Sequence, residues 1–286
     1  MGLRREIRRL FGIGSPRRQP SPHKMPDPAK LRGEGYVLPN FFIAGAARAG
    51  TTSLWEYLRQ HPAIYMPPVF ELKEPSFFCD SYGIKDWKEY LELFSEGRGR
   101  KMIGEASGPY LTSPESPARI REVFPEARFI ISLRNPADRA FSKYKWMRAN
   151  GFESAGSFEE ALKLEASRAS SDDFRKNNGQ YFYNFLYFQS GRYAEQVRRF
   201  FETFGREQVR VLIFEEWTQQ PLQVVQDLFS FLGVDAQFVP KIQVYNATTK
   251  DSAFDAALRA ELQQRYKNDI RQLEKLLGRE LETDWS

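Results

Sequence analysis

The stretch FFIAGAARAGTTSLWEYLRQHP, residues 41–62, decides how this chain folds. It reads as a short apolar strand, a turn that contains Gly45 and Gly50, and an amphipathic helix opened by hydroxyl residues. A strand, a glycine-containing loop and a helix in this order present backbone N–H groups and a helix dipole to an anion. The stretch therefore predicts a phosphate-binding loop at the end of a buried strand.

This loop departs from the nucleotide-binding pattern G-x-x-x-x-G-K-[ST] at the lysine. Thr51 follows Gly50 where the lysine is expected, and the nearest cation is Arg48 inside the loop. In ATPases and kinases that lysine reaches the β and γ phosphates, while the next hydroxyl holds Mg²⁺. The residues found here suit a phosphate but make less provision for a triphosphate and its metal.

The rest of the chain alternates short apolar segments with helical segments. ARFIISLRNP (127–136) and QVRVLIFEEW (208–217) predict strands, and KMIGEASGPYL (101–111) predicts a strand and loop. The prolines of IYMPPVFELKEPSFF (64–78) predict loop and turn. Strands separated by helices imply right-handed crossovers. We therefore predict a single α/β domain over residues 36–286, with a mainly parallel central sheet flanked by helices.

Basic residues are concentrated at the N-terminus. Residues 1–32 have a net charge of +7 and the whole chain has +5, so the remainder carries −2. The positive charge therefore does not indicate a nucleic-acid partner for the domain. We interpret residues 1–35 as a basic, disordered leader. The segment REIRRLFGI (5–13) leaves open a weak contact with a membrane surface.

Several conspicuous residues are interpreted as structural. Cys79 is the only cysteine, which excludes an intramolecular disulfide and favours a cytoplasmic location, and we expect it to be packed in the core. His61 precedes a proline at a helix end. The aromatic run YFYNFLYF (181–188) is expected to be mostly core, with part of it lining a ligand pocket. No apolar run approaches the ~20 residues of a membrane span.

A second constellation occurs in FIISLRNPADRAFSKY (129–144), which again places a strand end against a helix start. Arg134 leaves the strand, and Ser142 lies about two turns into the next helix. Together these side chains suit a second anion. A ligand with two separated anionic groups then fits better than a single tail of phosphates.

These motifs resemble those of the PAPS-dependent sulfotransferases. GAARAGTTSLWEYLRQHP (45–62) resembles the family's 5′-phosphosulfate loop, and LRNPADRAFSKY (133–144) resembles its 3′-phosphate motif. LKEPSFF (72–78) is similar to the K-E-P-x-F-F segment between them, and SGRYAEQVRRFFETF (190–204) to a downstream helix. The resemblance covers roughly residues 38–286 and is nearest to the bacterial and heparan-sulfate-type branch.

The resemblance implies a P-loop-like enzyme that moves a sulfuryl group from 3′-phosphoadenosine-5′-phosphosulfate (PAPS) to an acceptor hydroxyl. The product is 3′,5′-ADP (PAP), and no metal is required. Sugars, lipid or polyketide alcohols and small metabolites all remain open as acceptors. VLIFEE (211–216) imitates the acidic end of a Walker B strand, which leaves a Mg²⁺-dependent P-loop kinase or NTPase as an alternative. A non-catalytic nucleotide-binding member of the family is the other alternative.

The resemblance also assigns the cosubstrate site. The loop holds the 5′-phosphosulfate, Arg134 and Ser142 bind the 3′-phosphate, and Lys250 matches the lysine of a late loop. The predicted cofactor-binding residues are Gly45, Ala46, Ala47, Arg48, Ala49, Gly50, Thr51, Thr52, Ser53, Arg134, Ser142, Tyr193 and Lys250.

The predicted catalytic residues are Arg48, Glu74, Lys73 and Glu105. Arg48 stands where the family usually has lysine; it is too basic to be a general acid but can stabilise departing charge. Glu74 matches the acidic residue of the K-E-P segment and is assigned as the base that takes the acceptor proton, with Lys73 orienting it or the sulfonate. Glu105 and Asp80 are the fallback bases.

Overall fold

The computed structural model describes residues 27–67, 74–80, 82–178, 180–243, 254–281 and 285. Its centre is a five-stranded sheet in the order β2-β3-β1-β4-β5, in which every neighbouring pair is parallel. The predicted α/β domain with a parallel sheet is confirmed. The strands are β1 (Phe41–Gly45), β2 (Ile64–Tyr65), β3 (Met102–Ala106), β4 (Arg128–Leu133) and β5 (Val209–Ile213).

Helices pack on both sides of this sheet. The described α-helices are α1 (Pro28–Gly33), α2 (Thr51–Leu58), α3 (Trp87–Glu92), α4 (Pro109–Thr112), α5 (Ser116–Val123), α6 (Pro136–Ala149), α7 (Phe158–Lys163), α8 (Glu165–Ser170), α9 (Asp172–Asn177), α10 (Tyr193–Phe204), α11 (Phe214–Trp217), α12 (Pro221–Leu232) and α13 (Ala256–Leu277). Short 3-10 turns occur at Ser95–Gly97, Phe182–Phe185 and Gln189–Gly191.

The central strand β1 shows why the quoted stretch forms the middle of the fold. All its residues are buried, as expected for a strand of a parallel sheet that is covered on both faces. Phe42 stacks on Phe129 of β4 at 5.4 Å between ring centroids, while Phe41 and Ile43 pack in the apolar cluster on the opposite face. Each such side chain contributes about 1.5–3 kcal/mol of burial. A Cβ on Gly104 would lie 2.1 Å from the Phe41 ring, so Gly104→Ala would disturb this packing.

The strand order places one edge of the sheet where a ligand can bind. From β1 the chain goes to β2 and β3 on one side of the sheet and then to β4 and β5 on the other. In open α/β sheets, such a reversal leaves a crevice beyond the carboxyl ends of the strands. The segments that follow β1, β3 and β4 all leave the sheet at this edge.

Three local expectations differ from the structure. Ile64–Tyr65 pairs with β3, so the expectation of loop and turn was wrong for these two residues, because pairing to a neighbour overrides a weak local pattern. Strand β5 ends at Ile213 and continues as helix α11, which shortens the strand predicted over 208–217. Helix α1 lies inside the segment interpreted as leader and buries Leu31 in the core.

Other parts of the predicted leader, residues 1–26, lie outside the described residues, so its disorder and its membrane contact remain predictions. Within the described ranges, none of the helices is both long and apolar enough to cross a bilayer. Cys79 and His61 are both buried, as expected for structural residues. The His61 Nδ1 accepts from the Ala63 N–H at 3.0 Å, and Nε2 lies 3.1 Å from the Asp235 carbonyl oxygen, so Nε2 carries the proton.

Candidate active site

The loop after β1 is held to the sheet by backbone contacts. The Ala46 N–H donates to the Ser132 carbonyl at 2.6 Å, and the Ala49 N–H donates to the Ala46 carbonyl at 3.2 Å. Gly50 has φ 79° and forms the N-cap of α2, and a Cβ there would lie 2.4 Å from Cζ2 of Trp217. Gly50 is therefore required both for its left-handed backbone and for space.

Helix α2 begins directly after this loop and supplies the predicted anion donors. The first N–H groups of any α-helix have no acceptor within the helix, and they carry the positive end of the helix dipole. Thr51 and Ser53 are buried in the first turn, and Thr52 between them is half-buried. The backbone donors and these hydroxyls meet at the crevice beyond β1.

The structure brings the two predicted anion motifs into contact. The Arg48 Nε donates to the Ser142 Oγ at 3.1 Å, although 94 residues separate them. The Arg134 Nη1 donates to the Arg48 carbonyl at 3.4 Å, and its guanidinium lies 5.2 Å from the Phe214 ring centroid. Burial, and then the nearby Arg134, lower the pKa of Arg48, and the negative charge of Glu74 opposes this shift. Arginine still carries its charge in such a setting.

Glu74 lies beside these cations. It is half-buried, and its charge acts on both Arg48 and Lys143. Its position is set two residues later, where the buried Ser76 N–H donates to the Ser107 Oγ at 3.0 Å. The neighbouring Lys73 lies outside the described residues, as does Lys250.

Glu105 is placed differently from Glu74. It is fully buried on β3, where its Oε2 accepts from the Tyr90 hydroxyl at 2.5 Å and its Oε1 from the Ser107 hydroxyl at 2.6 Å. Burial raises the pKa of Glu105 to about 7. Because Ser107 also holds the Ser76 backbone, Glu105 supports the segment that carries Glu74. Its assignment as a base remains a prediction, and these contacts favour a positioning role.

Tyr193 and Asp80 also have other partners in this structure. The Tyr193 hydroxyl donates to the Arg134 carbonyl at 2.9 Å, so this buried side chain supports the arginine from beneath. Burial raises the pKa of Tyr193, which keeps the phenol protonated. Asp80 forms an ion pair with Arg119 at 2.6 Å. A direct contact between Tyr193 and a ligand stays a prediction.

Two cations on helix α6, Arg139 and Lys143, were not predicted from the sequence as site residues. Both are buried, and because four residues separate them they lie on one face of the helix. The Arg139 Nη2 donates to the Tyr187 carbonyl at 2.5 Å. The signal was available, since Lys143 directly follows Ser142 in the quoted motif.

A small pocket opens between the loop, helix α6 and the aromatic run 181–188. As expected, most of that run is buried, while Tyr183 and Asn184 remain half-buried and line the pocket. The pocket is lined by Ala46, Ala47, Gly108, Pro109, Thr112, Arg139, Lys143, Tyr183, Asn184, Leu186, Tyr187 and Ser190.

The two glutamates at the end of VLIFEE form hydrogen bonds and an ion pair with other parts of the fold. The Glu215 Oε1 accepts from the Asn135 N–H at 2.8 Å, and its Oε2 accepts from the Trp285 Nε1 at 3.2 Å. Glu216 forms an ion pair with Arg279 at 2.7 Å. Glu215 of α11 is therefore tied to the start of α6 and to Trp285. Within the described ranges, no group of three or more His, Cys, Asp or Glu side chains is arranged to hold a metal ion.

Comparison with known proteins identifies the family. Residues 38–285 match the sulfotransferase domain family model, so the chain belongs to the sulfotransferase family. A sulfotransferase from Alicyclobacillus acidocaldarius is 38% identical, with a TM-score of 0.76 over 87% of this chain and 99% of that chain. The fold and family are those of an enzyme that transfers sulfuryl groups.

Curated relatives are much longer proteins. The human bifunctional heparan sulfate N-deacetylase/N-sulfotransferase 3 is 29% identical over 75% of this chain and 24% of its own length. The membrane-associated sulfotransferase kil1 of Dictyostelium discoideum is 31% identical over 42% of this chain and 26% of its own length. The alignments thus span about a quarter of each of these two relatives.

Proposed function

We propose that this protein transfers a sulfuryl group from PAPS to an acceptor hydroxyl and releases PAP. The observation that carries the proposal is the contact between the two anion motifs, where the Arg48 Nε meets the Ser142 Oγ at 3.1 Å and Arg134 contacts the Arg48 carbonyl. Two cationic motifs on separate strand ends suit a ligand whose anionic groups are set apart by a nucleoside.

The donors of the site fit the phosphate and sulfonate oxygens of PAPS. The hydroxyls of residues 51–53 and the first N–H groups of α2 bind the 5′-phosphosulfate. Arg134 and Ser142 bind the 3′-phosphate, and Arg134 is held for this task by Tyr193 and Phe214. The chemistry of the donor set therefore matches the charge distribution of the cosubstrate.

Glu74 and Arg48 carry the chemistry in this proposal. PAPS supplies a sulfur–oxygen bond that breaks with its electron pair left on the 5′-phosphate while a new S–O bond forms to the acceptor oxygen. Glu74 takes the proton of the acceptor hydroxyl, and Arg48 stabilises the charge that develops on the phosphate. The charge of Glu74 acts on both Arg48 and Lys143, so the proposed base lies among the cations of the site.

Ligand-induced thermal shift separates this proposal from the NTPase alternative. PAP or PAPS without magnesium should increase the free energy of unfolding by RT ln(1 + [L]/Kd) and so raise Tm. ATP with Mg²⁺ should leave Tm unchanged. The reverse result would overturn the proposal. The two contacts of Glu215 favour the sulfotransferase reading, because its carboxylate oxygens already accept from Asn135 and Trp285.

A non-catalytic family member would bind PAP in that assay but show no transfer. The discriminating measurement is PAPS-dependent sulfation of a panel of sugars, lipid alcohols and small metabolites with labelled sulfonate. Relatives named N-sulfotransferases add amino sugars to the panel. Labelled product from any acceptor supports catalysis. A cytoplasmic location remains a prediction from the single, buried Cys79.

A further inference from the structure

Lys143 is a buried cation that the proposed mechanism has not used. Its exposure is only 6%. Its ammonium lies 4.6 Å from the Trp146 ring centroid, one helical turn further along α6. Within the described parts of the chain, no hydrogen-bond acceptor or ion-pair partner contacts its Nζ. A cation this deeply buried is costly unless an anion offsets the loss of hydration, so Lys143 is suited to meet an anionic ligand group.

The surroundings of Lys143 indicate where that anion binds. Lys143 lines the small pocket together with Ala46 and Ala47 of the phosphate loop and with residues of the aromatic run. Glu74 attracts its charge, while Arg48 and Arg139 repel it. Lys143 therefore lines a pocket with the phosphate loop and is within electrostatic reach of the predicted base, Glu74.

The neighbouring Ser142 contacts Arg48 and belongs to the 3′-phosphate motif. Successive residues of a helix point about 100° apart, so the side chains of Ser142 and Lys143 leave α6 in different directions, that of Ser142 towards Arg48 and that of Lys143 towards the small pocket. One turn of α6 thus presents two different donors to two different parts of the crevice.

We propose that Lys143 contacts the sulfonate end of PAPS and supplies the ammonium that the loop of this chain lacks. The inference rests on the proposed function. In this arrangement Arg48 neutralises charge at the phosphate, and Lys143 binds the sulfonate oxygens as the sulfur passes to the acceptor. The lysine missing from the loop sequence is thereby replaced from a helix about 90 residues further along the chain.

The experiment compares PAP with PAPS, which differ only by the sulfonate. Isothermal titration of Lys143→Met should show PAPS affinity reduced by roughly 10- to 150-fold, the loss expected for a charge-assisted contact, and PAP affinity within about threefold of wild type. Lys143→Arg should recover part of the PAPS affinity. Lys145→Met is the matched control, because this lysine lies on the same helix and also packs on an aromatic ring, Phe141.

Thermal unfolding without ligand gives an independent readout. Replacement of this buried cation by an apolar side chain should raise the Tm of Lys143→Met or leave it unchanged, whereas a purely structural lysine would lower it. Lys143→Gln provides a second neutral variant if the methionine variant does not fold.

Proton uptake on ligand binding gives a further test of the contact between Lys143 and the sulfonate. Burial lowers the pKa of Lys143 to about 7, with Arg48 and Arg139 adding to this shift and Glu74 opposing it. Binding of the sulfonate should then draw a proton onto the amine at pH 7.5. Titrations in buffers of different ionisation enthalpy should show this uptake for wild type and not for Lys143→Met.

These experiments distinguish failure of the proposed function from failure of the role assigned to Lys143. If wild type binds neither PAP nor PAPS, the proposed function fails. If wild type binds both and Lys143→Met keeps the wild-type ratio of PAPS to PAP affinity, only the role of Lys143 fails. Equal losses for both ligands would likewise overturn the sulfonate contact.

Discussion

Glu74 and Glu105 are two carboxylates in one region of the fold with opposite surroundings. Glu74 is half-buried, with Arg48 and Lys143 close enough to act on its charge. Glu105 is fully buried and accepts hydroxyl hydrogen bonds on both oxygens. Glu74 thus keeps some exposure and Glu105 has none, although the sequence predicted both as candidate bases.

The two carboxylates are connected by a short chain of contacts. Glu105 accepts from Ser107, whose hydroxyl oxygen in turn accepts from the Ser76 backbone. Ser76 has φ 49°, an uncommon conformation for serine that a firm anchor helps to maintain. The buried carboxylate of Glu105 therefore helps to position the backbone of the segment that carries Glu74. The following predictions test this division of roles.

The largest effect is expected for Glu74→Gln. The amide is nearly isosteric but cannot take the acceptor proton, so turnover should fall on the order of 10²- to 10⁴-fold. PAP affinity and Tm should stay close to wild type. The measurement is steady-state turnover with an acceptor identified in the panel. Turnover like that of wild type would remove Glu74 from the mechanism and pass the role of base to another carboxylate.

The cations around Glu74 come next. Arg48→Ala should lower turnover by about 10²-fold, as for loss of one oriented donor to developing charge. Arg48→Lys should keep substantial activity, because it restores a cation in the loop. If the lysine variant is as inactive as the alanine variant, the guanidinium contact with Ser142 is essential in itself.

Arg134, which contacts the Arg48 carbonyl, tests whether every cation of the site serves the chemical step. Loss of a charge-assisted phosphate contact should cost ~1.5–3 kcal/mol in PAP binding. Arg134→Ala should therefore bind PAP more weakly and adenosine 5′-phosphosulfate, which lacks the 3′-phosphate, about as well as wild type. Titration calorimetry with both ligands checks this, with exposed Arg198→Ala as control. Equal losses for the two ligands would show that Arg134 does not read the 3′-phosphate.

The smallest effect on turnover is expected for Glu105→Gln, below about tenfold, because only the support of Ser76 is weakened. Its clearest effect is on stability against pH. Burial raises the pKa of Glu105 to about 7 in the folded protein, so the folded state binds more protons than the unfolded state between pH 4.5 and 7. Wild-type stability contributed by this group is then present below pH 4.5 and is lost as pH rises through 7.

The glutamine variant has no proton to lose, so its free energy of unfolding should decline less between pH 5 and 8. The rise in the pKa of Glu105 from 4.5 to about 7 corresponds to at most about 3 kcal/mol in the free energy of unfolding. Urea unfolding of both proteins at pH 5, 6, 7 and 8 gives the comparison. Parallel pH profiles would contradict the raised pKa, and a loss of turnover as large as that of Glu74→Gln would make Glu105 the base.

Much of the fold could be predicted from local patterns. Strand β1, its loop and helix α2 were predicted because an apolar run, two glycines and hydroxyl residues each have strong local preferences. The two-residue strand β2 could not be found this way, because Ile64–Tyr65 becomes a strand only by pairing with β3. The helix α1 was missed for a similar reason, since its anchor is the burial of Leu31 in a distant core.

The candidate site, like the fold, has features that the local sequence predicts and others that depend on tertiary contacts. The sequence by itself determined the two anion motifs and the family, because glycines at a strand end and an arginine and serine at fixed spacing are local requirements of phosphate binding. Only the tertiary structure decided which cation meets which anion. In the folded chain Arg48 donates a hydrogen bond to Ser142, and Lys143 lines the small pocket. Glu105 accepts hydrogen bonds from two hydroxyl groups. The physical reason is that burial and charge partners come from residues far apart in the chain, and these alone distinguish a carboxylate that reacts from one that supports.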